Sequence, residues 1–173
     1  MTRDELVAVY DDRGNEVGAA PRHQIRSEGL WHAGTAVMLL SPDRHKVYVH
    51  QRSWDKDVFP GVYDCWSGGL LAPGETPMTG ALRELREELG VDEVELEQLG
   101  ANIYCEPPIR YFCVAYEAIW DGPITHQPEE IIDGWWMPLN ELRLRLTNPE
   151  AFPFVPDGRQ LIDWWFANRH QDA

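Results

Sequence analysis

GLLAPGETPMTGALRELREELGV, residues 69–91, joins a segment rich in glycine and proline to a segment with helical periodicity. Glycine and proline interrupt regular structure, so Gly69 and Gly74 predict a loop. Residues 77–89 then predict a helix, and Gly90 is the type of residue at which helices end. We therefore expect a loop that leads directly into a helix.

The predicted helix separates apolar from acidic side chains. At about 100° per residue, one side of the helical wheel holds four apolar residues: Met78, Leu82, Leu85 and Leu89. We expect this stripe to dock the helix on a sheet, while Glu84, Glu87 and Glu88 point away as a cluster. Like charges so close together destabilise a helix unless a cation neutralises them. The two interpretations are a site for Mg²⁺ or Mn²⁺, which prefer oxygen ligands, and a solvated acidic face.

The complete stretch resembles the Nudix box, G-x5-E-x7-R-E-U-x-E-E-x-G-U, in which U is an aliphatic residue. Every fixed position is present between Gly69 and Val91. The resemblance implies an α/β (α+β) protein, a Nudix-type α/β/α sandwich with a mixed central sheet. It further implies one domain over 1–173, with the box at 69–91 and an N-terminal hairpin extension at about 1–30.

The resemblance also assigns roles inside the box. It implies metal binding by three carboxylates and one carbonyl oxygen, from Glu84, Glu87, Glu88 and Gly69. Arg83 is placed to hold a loop carboxylate, with Glu75 as the expected partner, and both residues are then structural. The cofactor would be Mg²⁺ or Mn²⁺, and the number of ions stays open.

Nudix enzymes typically hydrolyse a diphosphate linked to another moiety, so the resemblance implies a metal-dependent hydrolase. The substrate class is a nucleoside diphosphate derivative or a related small diphosphate. A glutamate must remove a proton from the attacking water. Glu87 and Glu88 inside the box are candidates for this base, and Glu130 in the segment HQPEEIIDGWWMPLNEL is a third. For Glu130, a solvated loop acid is the alternative interpretation.

Residues 5–140 resemble one subgroup, isopentenyl-diphosphate isomerase and its bacterial hydrolase relatives, in VYDDRGNEVG, LWHAGTAVMLL and HQRSWDKDVFPGVYD. Arg52 and Lys56 match the isomerase pattern R-x3-K that grips the diphosphate. His32 matches a metal-binding histidine of the isomerase, or is a satisfied strand histidine. The catalytic cysteine is missing, because Gly68 stands in its segment and Cys65 comes three positions too early. A hydrolase is favoured, and an isomerase-like enzyme or a non-catalytic nucleotide-binding module are the alternatives.

The rest of the chain predicts a sheet built largely from hairpins. Alternating segments flank polar turns at 12–15 and 41–45, and another hairpin is centred on Pro107–Pro108. Short helical segments are expected after GWWMPL and from Arg159 onward. Strands and helices interleaved in this way favour a mixed sheet flanked by helices.

The amino-acid composition limits the kinds of molecule that the protein is expected to bind. The 173 residues include 29 Asp and Glu against 15 Lys and Arg, a net charge of −14, which argues against binding nucleic acid or an anionic membrane. Three cysteines without Cys-x-x-Cys spacing, and an N-terminus without an apolar segment, favour the cytoplasm. The expected partner is a small diphosphate, and a homodimer is an open alternative.

Overall fold

A computed structural model describes residues 5–106 and 109–169, and these form one mixed sheet with helices on both faces. The eight strands are β1 (Leu6–Tyr10), β2 (Glu16–Pro21), β3 (His32–Leu40), β4 (Lys46–Arg52), β5 (Tyr63–Asp64), β6 (Glu97–Glu106), β7 (Ile109–Ile119) and β8 (Ile131–Pro138). The four helices are α1 (Arg22–Glu28), α2 (Pro77–Leu89), α3 (Leu139–Arg145) and α4 (Pro156–Asn168). The predicted fold class is confirmed.

The central strand β3 organises the sheet. It pairs in parallel with β7 along its whole length, from His32 opposite Tyr111 to Leu40 opposite Ile119. Antiparallel pairs extend the sheet on either side: β1 with β2, β6 with β7, and β4 with β5 and β8. The predicted turns at 12–15 and 41–45 connect strands as expected. The turn at Pro107–Pro108 lies outside the described residues.

The side chains of β3 pack into two hydrophobic cores, one on each side of the sheet, because successive side chains of a strand point to opposite faces. Met38 and Leu40 pack with α3 and α4 through residues such as Leu142 and Trp165. Val37 and Leu39 pack with α2 on the other face. The sheet is therefore covered by helices on both sides, and α2 is held against its centre.

The ends of α2 match the sequence prediction. The helix begins after Thr76, whose hydroxyl accepts a hydrogen bond from the Thr79 N–H at 3.3 Å. It ends at Gly90, which has φ of +64°. This left-handed conformation is one that glycine adopts without the penalty a side chain would bring.

The predicted facing of α2 is wrong for two of the three glutamates. Glu84 and Glu88 are 2% and 6% exposed, so they lie on the docked side of the helix. Met78 and Leu82, assigned to the docking stripe, are 39% and 38% exposed. The helix is rotated relative to the prediction, and its buried apolar side chains are Ala81, Leu85 and Leu89. Glu87 is the member of the cluster that faces solvent, with 46% of its side chain exposed.

Among the described residues, no helix has both the length and the apolar character needed to cross a bilayer.

Candidate active site

The loop that opens the 69–91 segment lies along β3 like a short additional strand. The Val37 N–H donates to the Ser67 carbonyl at 2.7 Å, and the Thr35 N–H donates to the Gly69 carbonyl at 3.0 Å. A Cβ atom on Gly68 would lie 1.9 Å from the Thr35 carbonyl oxygen. The Gly69 carbonyl oxygen, a predicted metal ligand, thus accepts the hydrogen bond from β3 with one lone pair and has a second lone pair that this bond does not use.

Gly68→Ala should destabilise the fold and displace this loop. The added methyl group meets main-chain atoms of β3, which cannot rotate away as a side chain can. We expect a loss of about 1–3 kcal/mol in the free energy of unfolding, measured by urea denaturation. Gly18→Ala is the matched control, because Gly18 is exposed on β2 and a Cβ there has no neighbour within 4 Å. Equal stability of the two variants would contradict the proposed steric limit.

Arg83 connects the loop to the helix, and the predicted contact with Glu75 is present. Its guanidinium donates from Nε to Glu75 Oε1 at 2.9 Å and from Nη2 to Glu75 Oε2 at 3.0 Å. The Nη1 atom donates to Glu84 at 2.7 Å and to Glu87 at 3.3 Å. Nη2 also donates to the Leu70 carbonyl at 3.2 Å. One cation therefore holds three carboxylates and the loop main chain.

Glu84 and Glu88 form a pair of carboxylates one helical turn apart and largely withdrawn from water. Burial, and then the charge of Glu88, raise the pKa of Glu84 to about 7. Glu88 Oε2 accepts hydrogen bonds from Ser67 Oγ at 2.7 Å and from the Gly68 N–H at 3.1 Å. The loop donors thus hold Glu88 in place where two negative charges repel each other.

A divalent cation fits this pair by charge and by donor chemistry. Oxygen-only ligands suit Mg²⁺ or Mn²⁺, and a second positive charge would relieve the repulsion that raises the pKa of Glu84. Within residues 5–106 and 109–169, no three His, Cys, Asp or Glu side chains converge as a complete metal-binding group. In this arrangement the Arg83 guanidinium supplies the positive charge beside Glu84.

A cleft of about 120 Å³ lies beside Glu88 and brings the predicted residues Arg52, Lys56 and Glu130 together. Lys56 Nζ is in direct contact with Glu130 Oε2. Burial, and then the nearby charge of Arg52, lower the pKa of Lys56 to about 8. Glu130 is buried, so the interpretation as a solvated loop acid is wrong.

Arg52 closes a loop at the mouth of the cleft. Its Nε donates to the Phe59 carbonyl at 3.1 Å, and its Nη2 donates to the Val58 carbonyl at 3.0 Å. Phe59 adopts φ of +52°, a backbone conformation that is strained for a residue with a side chain. The predicted phosphate-binding arginine thus also fixes the shape of the 58–59 segment.

Two further cations line the cleft and were not identified from the sequence. Arg22 and Arg26 project from α1, one turn apart, and both approach Asp57 at 3.4 and 3.7 Å. The available signal was an Arg-x3-Arg spacing just before β3 in a chain with a large negative net charge. Four positive side chains therefore gather where the protein would otherwise repel a polyanion.

Polar groups also line the cleft, and they include His32, which the sequence had singled out, together with Tyr111, Asp64 and Asp157, which it had not assigned to the site. His32 is enclosed, its Nδ1 lies 2.9 Å from the Leu30 carbonyl, and burial lowers its pKa to about 4. Tyr111 donates to Asp157 at 2.5 Å. Asp64 is buried beside them, and burial followed by the charge of Asp157 raises its pKa to about 8. The sequence predicts the C-terminal helix from Arg159 onward, whereas α4 begins at Pro156 and so includes Asp157 in its first turn.

The positions of the cysteines do not support isomerase chemistry in this cleft. Cys65 and Cys113 are packed in the core between the sheet and α4, and Cys105 is exposed on β6. Of the described residues that line the cleft, none is a cysteine.

Comparisons with known proteins identify a family and close relatives by sequence. The NUDIX domain family matches residues 30–162. An uncharacterised Nudix hydrolase of Rhodococcus erythropolis, orf19, is 43% identical over 92% of this chain and 90% of the relative. An uncharacterised Nudix hydrolase of Pseudomonas aeruginosa is 32% identical over 91% of each chain.

Solved structures share the architecture. DR0079 of Deinococcus radiodurans has a TM-score of 0.79 and 25% identity, covering 92% of this chain and 98% of its own. The NUDIX domain of NrtR from Shewanella oneidensis, solved with ADP ribose, has a TM-score of 0.62 and 21% identity over 91% of this chain and 92% of its own. The second likeness concerns the fold alone.

Proposed function

We propose a function from the premise that this chain belongs to the Nudix hydrolase family. It is a pyrophosphohydrolase, and its reaction is the divalent-metal-dependent cleavage of a diphosphate linkage in a nucleoside diphosphate derivative or a related small diphosphate. The observation that carries the proposal is the buried Glu84–Glu88 pair, held by the loop and Arg83 at the edge of a cationic cleft.

Glu84, Glu87 and Glu88, with the Gly69 carbonyl, would hold Mg²⁺ or Mn²⁺. A bound divalent ion neutralises charge on phosphate oxygens and makes a coordinated water more acidic. The donor set supports this assignment, because it consists of carboxylate and carbonyl oxygens without nitrogen or sulfur. Glu75 and Arg83 act structurally by fixing the loop against the start of α2.

Arg52 and Lys56, which line the same cleft as Glu88, would bind the diphosphate. Their charges supplement the metal in a protein whose net charge of −14 repels an anionic substrate. Glu130 is the proposed base that takes the proton of the attacking water, with Glu87 and Glu88 as alternatives. Its contact with Lys56 supports this choice, since the base then lies beside a group that binds the phosphate.

The substrate is proposed only as a class. The NrtR domain binds ADP ribose, which contains a diphosphate linkage, and that supports a diphosphate compound for this chain. Isomerisation of isopentenyl diphosphate is not expected. That reaction needs two positioned groups to add and remove protons. Gly68 stands where the isomerase pattern has its cysteine, and Tyr111 or a neighbour in IRYFCVA stands where it has its acid.

We further propose a single domain over 1–173 that works in the cytoplasm on a small molecule, without nucleic acid or membrane. The unpaired cysteines 65, 105 and 113 support a reducing compartment. A homodimer stays an open alternative.

A phosphate-release assay tests the proposed reaction. The purified protein is incubated with nucleoside diphosphates, nucleotide sugars, dinucleotides and prenyl diphosphates, with Mg²⁺, with Mn²⁺ and with EDTA. Products of nucleotide sugars and dinucleotides are first treated with a phosphatase, so that every cleavage releases phosphate. We expect hydrolysis of at least one class that depends on the divalent ion. Undiminished hydrolysis in EDTA would refute the metal-dependent reaction, and inactivity on the whole panel would refute the substrate class.

A further inference from the structure

A second concavity, which we call the basic groove, lies at the opposite end of β4 from the proposed active site. It has a volume of about 920 Å³, and its wall includes Arg44, His45, Asn140, Arg143, Phe166 and Arg169. His45 precedes β4 and Arg52 ends it, so roughly 20 Å of extended chain separate the groove from the cationic cleft. The two sites share no lining residue in the described part of the chain.

Two arginines of the basic groove lie over neighbouring aromatic rings. Arg143 Cζ is 4.5 Å from the centroid of the Phe166 ring, and Arg169 Cζ is 4.7 Å from that of Trp165. The two rings contact each other, with centroids 5.3 Å apart, and Trp165 is buried. Both guanidinium groups therefore rest on one pair of packed rings, which restricts their orientations before any ligand binds.

The turn before β4 is joined to the same place by hydrogen bonds to its main-chain carbonyls. Arg169 Nη2 donates to the Arg44 carbonyl at 2.7 Å. The Leu139 N–H, at the start of α3, donates to the His45 carbonyl at 2.9 Å. The turn, the start of α3 and the end of α4 thus form one connected wall.

The positive charge of Arg143 and Arg169 is not neutralised within the described residues. Neither side chain forms an ion pair with a carboxylate of residues 5–106 or 109–169. The chain has 29 Asp and Glu against 15 Lys and Arg, so acidic partners are abundant elsewhere. Two arginines on adjoining rings without such a partner leave a local excess of positive charge in an acidic protein.

The acidic groups near the groove are already occupied. Glu117 is buried, and it contacts Arg44 through one oxygen and accepts from Trp165 Nε1 at 2.9 Å through the other. Asp43 lines the groove, but its Oδ1 accepts from the Ser41 hydroxyl at 2.5 Å and from a main-chain N–H of its own turn at 3.0 Å. These contacts direct the carboxylates to protein donors and leave Arg143 and Arg169 to a ligand.

The donors of the groove favour a phosphate group. A guanidinium presents its N–H donors as a planar fork that matches phosphate or carboxylate oxygens. Asn140 Oδ1 accepts from the Glu141 N–H at 2.9 Å, which leaves the side-chain amide to donate. The donors come from α3 and from the end of α4, and a phosphate offers three acceptor oxygens in different directions, whereas a carboxylate offers two in one plane. The net charge of −14 disfavours an extended polyanion such as nucleic acid.

We propose that the basic groove is a second binding site, for a small molecule that carries phosphate groups. Arg143 and Arg169 bind the phosphate oxygens, and Asn140 adds a further donor. The volume of the groove is in the range of small-molecule sites. The inference does not depend on the proposed hydrolase reaction, because no residue of the catalytic cleft takes part.

A pyrophosphate titration followed by two-dimensional amide NMR tests this site residue by residue. The nitrogen-labelled full-length protein is kept in EDTA, at an ionic strength held constant with sodium chloride. We expect saturating shifts for the amides of His45 and Asn140 and for the indole N–H of Trp165, which lies beneath Arg169. Arg143→Ala should raise the Kd at these reporters about ten- to a hundredfold, because a charge-assisted hydrogen bond is lost. Arg143→Lys should raise it less, since the charge remains and only the fork is lost.

The same spectra contain the controls. Signals of the catalytic cleft that respond to pyrophosphate should respond equally in Arg143→Ala, which shows that the variant is folded. Arg13→Ala removes the same charge from an exposed turn and should leave the Kd at the groove unchanged. Shifts that do not saturate, or an equal effect of Arg13→Ala and Arg143→Ala, would overturn the proposal. Citrate that binds the groove as tightly as pyrophosphate would refute the phosphate class. Selective binding in a protein that hydrolyses no diphosphate would refute the hydrolase and leave this site standing.

Discussion

Glu88→Gln should lower kcat by about a hundredfold or more while the protein stays folded. Even residues behind the ligands of a metal site typically cost ten- to a hundredfold when changed, so loss of a proposed ligand should cost at least as much. The fold should survive because glutamine keeps an oxygen that can accept from Ser67 and Gly68. Removing one of two repelling charges near Glu84 should leave the free energy of unfolding equal or slightly higher. Steady-state kinetics at saturating Mg²⁺ and urea denaturation measure the two effects.

Two companion variants make the result specific. Glu95→Gln removes the same charge from an exposed position shortly after α2 and should keep wild-type kcat. Glu87→Gln should lower kcat in the same direction as Glu88→Gln, although Glu87 is the exposed member of the three glutamates. A Glu88→Gln protein with full activity would remove Glu88 from the catalytic site.

Arg52→Ala and Lys56→Ala should each reduce kcat/KM by about ten- to a hundredfold on the best substrate found. Loss of a charge-assisted hydrogen bond to phosphate costs about 1.5–3 kcal/mol, which corresponds to this range. Arg52→Lys should also be harmful, because a single ammonium cannot hold the Val58 and Phe59 carbonyls and a phosphate as a planar guanidinium can. Lys56→Arg keeps the charge and should be the mildest of these changes.

The control for both residues is Lys46→Ala, an exposed lysine at the opposite end of β4. The concentration of Mg²⁺ that gives half-maximal activity should stay near the wild-type value in every variant, since these side chains are assigned to substrate binding. Wild-type kcat/KM in both alanine variants would show that neither side chain binds the substrate. A parallel shift in Mg²⁺ requirement would instead move them to the metal site.

The helix and its ends could be predicted because their signals are local. Gly90 ends the helix as predicted, and the structure adds a cap by Thr76 before the first turn; both signals act within a few residues. The facing of the helix could not be predicted from a wheel, which ranks side chains by polarity. Glu84 and Glu88 are buried because Arg83 and the loop donors satisfy them, and those contacts come from outside the helical periodicity.

The set of residues that line the cleft was even harder to predict from the sequence. Arg26 and Asp157 are far apart in the chain and meet only because β7 lies parallel to β3 and α4 packs back onto that sheet. No short sequence pattern predicts such a long-range contact. It forms only in the folded state, through the crossover connection between the parallel strands. The box residues could be predicted because their spacing is compact, whereas the wall that faces them is assembled from distant segments.

The pairing of the 67–71 loop with β3 ties the site to the most stable part of the molecule. Main-chain hydrogen bonds from Thr35, Val37 and Leu71 join the loop to a strand that is buried along its whole length. Amide protons in such an element exchange with solvent only when the cooperative unit that contains it opens. The glycine loop therefore belongs to the last region to unfold, and on heating the protein should lose its catalytic geometry and its central sheet in one transition.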